Sequence, residues 1–119
     1  TPLGMVLQAC PDIVEYAGSG AGEPKGIANW ATFLKTAALV RAMLGISPDA
    51  WRDATETIGV VDASIVIAAI LQKGDEVRFP GGYLRSLTEK KRDGQFSVGP
   101  ILMALINTQL KSKKQGGQG

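Results

Sequence analysis

The chain of 119 residues contains no histidine and a single cysteine, Cys10. The commonest general base and metal ligand is therefore missing, and an internal disulfide is excluded. A lone cysteine of this kind reads as a small buried hydrophobe on an apolar helix face. Aromatic residues make up only 6% of the chain. The apolar content rests instead on Ala, Leu, Ile and Val, a balance that suits helix packing better than a β-sandwich. No apolar run reaches the ~18 residues that a membrane span requires. The longest, Ala63 to Leu71, is roughly half that length and contains Ser64. Period-2 alternation is confined to Val77 to Phe79, too short for a useful strand. The chain opens on Thr1 rather than Met. That is expected of a fragment of a longer protein, and nothing indicates secretion.

What is present points to one helical domain. Hydrophobic residues are 45% of the chain, enough at this length for a single modest core. The net charge of +2 conceals an asymmetry. Residues 1–72 hold four Lys/Arg against seven Asp/Glu, whereas residues 73–119 hold nine against four. A basic half on a nearly neutral chain points to an anionic partner.

Six helices are predicted, as a compact all-α domain over residues 1–112 with a flexible tail at 113–119. Thr1 can cap a first helix that has Pro2 at its first position; Pro11 then breaks or kinks it. Residues Gly18 to Gly26 read as a flexible loop. Asn29 can cap a second helix, in which Trp30, Phe33, Leu34, Ala37, Arg41 and Leu44 share a face and which Gly45 stops. Ser47-Pro48-Asp49 is a strong start signal for a third helix, which runs to Ile58 and Gly59. Asp62 is placed to cap a fourth, Ala63 to Lys73, apolar nearly all round and so the most buried. Pro80 opens a fifth, which ends at Gly94 after Lys90, Lys91 and Arg92. Ser97 can cap a sixth, with Pro100 in its first turn and Ile101, Leu102, Leu105, Ile106 and Leu110 as its buried stripe. Both Trp30 and Trp51 are expected in the core.

Catalytic and metal chemistry find no support. The glycine loop departs from the phosphate-loop pattern, since Pro24 precedes Lys25, Glu23 adds a negative charge and no strand leads in. Asp49, Asp53 and Glu56 make a solvated face, with Arg52 as their partner. Without histidine and with one cysteine, only all-carboxylate Mg²⁺ or Ca²⁺ binding remains, with no loop pattern to support it, and no nucleophile elbow is present. No cofactor is implied and enzymatic activity is not expected. The third and fourth helices, joined at Gly59-Val60-Val61, have the spacing of a helix-turn-helix. A recognition helix built of Ile65, Val66, Ile67 and Ile70 cannot read base edges, so this pair is core.

The basic end remains. The run from Arg78 to Arg92 reads as a helix with Gly81 and Gly82 in its first turn and cations in its last. Two glycines there cost roughly 1 kcal/mol each relative to alanine. Either a close helix crossing or a bound phosphate would need the bare backbone. Gly82→Val is expected to destabilise the domain on either alternative; on the first, the cations are a solvated face and Tyr83 is core. On the second, Gly81, Gly82, Arg78, Arg85, Lys90, Lys91 and Arg92 form a phosphate-contacting surface, with Lys91 nearer the buried edge. Tyr83 would then stack on an unpaired base. Lys111, Lys113 and Lys114 add a second cluster.

Several blocks in order carry a family resemblance. They are Leu3 to Pro11; Asn29-Trp30 with Arg41 to Trp51; Ala68 to Gln72; and Pro80-Gly81-Gly82-Tyr83-Leu84-Arg85 through Phe96, continuing from Gly99 to Ile106. Together they resemble the C-terminal domain of RepC, the replication initiators of repABC-type plasmids. The resemblance implies a cytoplasmic bacterial protein that starts plasmid replication, with the origin-binding part outside this chain. The Gly-Gly-Tyr-Leu-Arg helix is also similar, over a short stretch, to DnaD-like primosome domains that bind single-stranded DNA and partner proteins. That similarity implies a DNA or partner surface at Tyr83, Arg85 and Lys90 to Arg92, although the aromatic that usually follows the tyrosine is absent. The expected role is non-enzymatic: DNA contact in the origin region, docking of host replication proteins, or both. The alternative is a dimerisation or regulatory domain, which predicts an exposed apolar patch from Trp30, Trp51 or Phe79.

Overall fold

A computed structural model of the chain describes residues 1–18 and 26–116, with side chains described as far as Ser112. The order is α1 (Leu3–Ala9), a 3-10 turn (Pro11–Tyr16), α2 (Trp30–Met43), α3 (Pro48–Ile58), α4 (Val60–Lys73), a short 3-10 turn (Gly74–Glu76), α5 (Pro80–Arg92) and α6 (Val98–Gly116). There is no strand among the described residues. The loop expected from Gly18 to Gly26 falls mostly on residues 19–25, outside the described residues, as do residues 117–119 of the expected tail.

Helix α4 sits at the centre. Every residue from Ala63 to Ile70 is buried, and α2, α3, α5, α6 and both 3-10 turns contact it. A helix apolar on all sides has no face to offer water, so it must be surrounded. Around it Phe33 and Val40 of α2, Ala54 of α3, Leu84 of α5 and Leu102 of α6 are buried. Trp30 meets Phe33 edge to face, with ring centroids 5.5 Å apart. Away from α4, α3 packs on α5, α1 on α6, and the first 3-10 turn on α1 and α2.

The helix ends follow local chemistry. Asn29 accepts from the Thr32 N–H at 2.9 Å and Ser47 from the Ala50 N–H at 3.1 Å, as N-caps do. Ser97 Oγ accepts from the Gly99 N–H at 3.4 Å. Helices α2 and α5 close with the same pair of bonds. Ile46 and Gly45 donate back to Arg41 and Ala42, and Gln95 and Gly94 to Lys90 and Lys91. This is the Schellman arrangement, and the Arg41 guanidinium reinforces the first by donating to the Ile46 carbonyl at 3.0 Å.

Several expectations are corrected. Pro2, not Thr1, occupies the N-cap of α1, and it makes no side-chain cap. Helix α4 begins at Val60 rather than Ala63, so Asp62 lies in its first turn and is not the cap. The reason is Gly59. At φ +100° it reverses the chain in one residue, a conformation L side chains rarely adopt. Leu110 is 56% exposed, because α6 outruns the core: from Asn107 to Ser112 only Gln109 is not exposed. Trp30 and Trp51 pack against the core but are only half-buried.

Three buried side chains carry hydroxyls. Thr36 donates to the Thr32 carbonyl at 2.7 Å and Thr88 to the Leu84 carbonyl at 2.8 Å. Ser64, fully buried in α4, has no hydrogen-bond partner for its hydroxyl among the described residues. An orphan hydroxyl loses its hydration without recompense. Ser64→Ala is therefore expected to stabilise the domain by about 1 kcal/mol in thermal or urea unfolding, and a lower melting temperature would show that the hydroxyl is satisfied.

Cys10 is fully buried. Burial, and secondarily the charge of Asp12, push its thiol pKa up to about 12. In the unfolded chain the thiol ionises near its ordinary value of about 8.5, so the unfolded state gives up this proton first. Stability is thus expected to fall as pH rises from about 9 towards about 12, and Cys10→Ala should flatten that part of the slope. At pH 8 a thiol-alkylating reagent should modify the native domain no faster than it unfolds.

Candidate nucleic-acid interface

Helix α5 packs on α3, with a smaller contact to α4. Leu84, Leu87 and Thr88 are buried and Tyr83 half-buried. Burial also pushes the Tyr83 phenol pKa up. The outward strip of α5 runs through Gly82, Arg85, Ser86 and Glu89, all exposed and spaced as neighbours on one helix face.

The start of the helix is bare. Its N-cap position is Phe79, which has no side chain able to cap, and none does so. The first bond back is from the Tyr83 N–H to the Phe79 carbonyl at 2.9 Å. The N–H groups of Gly81 and Gly82 have no acceptor among the described residues. Phe79 itself is 75% exposed, the most exposed large hydrophobic side chain among the described residues.

The glycine pair does not serve a helix crossing. A Cβ at Gly81 would meet nothing within 4 Å, and one at Gly82 only the Phe79 Cβ at 3.6 Å, an ordinary contact. Neither glycine has a positive φ. The close-crossing alternative is thereby overturned, and with it the close contact behind the expected destabilisation by Gly82→Val. Packing and backbone conformation leave both positions open to a Cβ.

The basic residues do not form one cluster. Arg78 is exposed just before the helix, and Arg85 is exposed on the outward strip. Lys90 lies about 140° around the helix from Arg85. It lines an open cleft of about 350 Å³ with Leu87, Phe96 and Ile101. Lys91 is exposed rather than at the buried edge. Arg92 turns to α3. Its guanidinium pairs with Asp53 and Glu89 and donates to Thr57 Oγ1 at 3.2 Å. The Asp53 bond above all holds its pKa up. Asp53 is thus taken by Arg92, while Arg52 pairs with Asp49 at 3.0 Å. Arg78, Arg85, Lys90 and Lys91 have no acidic partner among the described residues. Lys111 is exposed on α6, about 20 Å along that helix from its start. The side chains of Lys113 and Lys114 lie outside the described residues.

Phe79 was placed by the sequence only in an apolar patch. Its position directly before Pro-Gly-Gly, outside the inward spacing of Leu84 and Leu87, is the signal for an exposed ring at a helix start. The Arg92–Asp53 link joins residues 39 apart and has no local signal. Among the described residues no group of three or more His, Cys, Asp or Glu comes together to hold a metal, and no helix is long and apolar enough to cross a membrane.

Residues 2–108 match the family model described as the replication protein C C-terminal region. A protein of Rhizobium rhizogenes is 44% identical over 118 residues, which is 99% of this chain and 26% of that protein. One of Sinorhizobium fredii (strain NBRC 101917 / NGR234) is 46% identical over 105 residues, 88% of this chain and 25% of that protein. Both are provisionally named replication protein C. The chain spans about a quarter of the length of these relatives. No solved structure matches it.

Since nothing packs against Gly82, Gly82→Ala is expected to stabilise the domain by up to about 1 kcal/mol, by removing chain entropy from the unfolded state. Thermal unfolding checks this; a clear loss of stability would restore a packing role for the glycine.

Proposed function

This chain belongs to the family of replication protein C C-terminal regions, and on that premise we propose that it is a non-enzymatic domain of a plasmid replication initiation protein. It works in the bacterial cytoplasm and presents α5 as an auxiliary DNA-contacting surface. The observation that carries this reading is the set of exposed cations on and beside α5 that have no acidic partner among the described residues, namely Arg78, Arg85, Lys90 and Lys91. Unpaired cations attract phosphates, and the release of counterions drives the association. The open amides of Gly81 and Gly82 add donors suited to a phosphate oxygen. Arg92 is not assigned to this surface, because it is spent on holding α5 to α3.

A second reading, docking of a host replication protein or self-association, draws on the exposed apolar side chains. Phe79 is 75% exposed, and Leu39 and Met43 stand one turn apart on α2 at 45% and 58%. Of the three residues expected to form a dimer patch, Phe79 alone is largely in solvent.

The test is fluorescence anisotropy with labelled single- and double-stranded oligonucleotides over a range of salt. An Arg85, Lys90 and Lys91 triple alanine variant, with Arg92 kept, is expected to melt like the parent and bind DNA more weakly. The slope of log K against log salt should be shallower by about 0.7 to 0.9 per lost phosphate contact. Equal affinity and equal slope would remove α5 from DNA contact and favour the protein-docking reading.

A further inference from the structure

We infer that Phe79 is a stacking platform for an unpaired base, so that the α5 surface takes single-stranded rather than duplex DNA. This rests on the DNA-contacting reading above. The sequence assigned stacking to Tyr83, but that ring is half-buried and packed against the core. Its ring is therefore less open to a base than a largely exposed one. Phe79 is such a ring, at 75% exposure.

The surroundings of the ring fit a nucleotide strand. Arg78 precedes it and is exposed, with no acidic partner among the described residues. On its other side lies Gly82, whose absent Cβ would stand 3.6 Å from the Phe79 Cβ. One turn further along the same strip come Arg85 and Ser86. The glycine thus leaves a bare step between an aromatic ring and the next cation. Sequence-tolerant binding of single strands combines these two elements, a ring for the base and cations for the phosphates on either side. In a duplex the bases are already stacked, and the ring has no base face to meet. An exposed phenylalanine also costs solubility and adds nothing to the core, and a glycine pair without a packing reason weakens the helix. Both features gain a purpose if a base covers the ring.

The test compares this chain with its Phe79→Ala, Phe79→Trp and Arg85→Ala variants. The probes are a labelled oligothymidylate and a duplex of equal length, and the readouts are anisotropy, thermal unfolding and solution mass. The expected result is that Phe79→Ala weakens oligothymidylate binding by about tenfold or more while duplex affinity and melting are unchanged. Phe79→Trp should keep the affinity, and its added indole fluorescence should be quenched on binding. If Phe79→Ala binds oligothymidylate like the parent while Arg85→Ala weakens it, stacking is overturned and the DNA surface stands. Equal weakening on both probes overturns the single-strand preference. A solution mass that drops in Phe79→Ala, with oligonucleotide affinity unchanged, assigns the ring to self-association and overturns the inference. No binding of the parent to either probe overturns the DNA reading as well.

Discussion

A helix that is apolar around its whole circumference fixes this architecture. From Ala63 to Ile70 every residue of α4 but Ser64 is apolar, so the other helices have to enclose it. Helices α2, α3 and α6 do most of this work. The 3-10 turn after α1 contributes as well, and is pinned to the end of α4 by the Gln72 side chain, which accepts the Asp12 N–H at 2.9 Å. That bond satisfies one of the donors left open at the start of the turn. Where the enclosure is incomplete, the surface is free to serve a partner.

Helix α5 is where the enclosure thins out. It rests mainly on α3, and the Arg92 link to Asp53 and Thr57 fastens its far end. An ion pair at that exposure contributes little to global stability, but it settles which cation of the basic run is unavailable to a ligand. The near end is uncapped, carries two glycines that neither packing nor backbone conformation requires, and exposes a phenylalanine. A helix start selected for stability alone would carry Ser, Thr, Asp or Asn at its cap and no glycine pair behind it. Local rules broken without a structural gain mark a surface shaped by something other than folding.

Much of the fold was legible because its signals are local. Asn29, Ser47-Pro48-Asp49, Pro80 and the glycines at 45, 59, 74 and 94 set boundaries through bonds or angles within a few residues. The apolar run of α4 announced its burial. Errors arose where the outcome depended on tertiary neighbours. Leu110 continues a faultless stripe, yet the helices it would pack on end before it. Val60 and Val61 joined α4 because a single glycine made the turn that three residues had been allotted. At the candidate site the cations and glycines could be named from sequence, but not their separation. The division of Arg85, Lys90 and Arg92 among solvent, cleft and α3 follows from helix phase and from an aspartate 39 residues away. The purpose of the glycine pair likewise needed coordinates, since a close crossing and an open step read identically in one dimension.

The central claim is that α5, with Arg78 just before it, is the surface on which this replication protein C domain meets DNA. The most direct measurement is an amide NMR titration of the chain with a short single-stranded oligonucleotide. The account predicts shift changes concentrated between Arg78 and Lys91, with the open Gly81 and Gly82 amides among the largest, and an undisturbed α2. Changes centred on Leu39 and Met43, or none at saturating oligonucleotide, would contradict it.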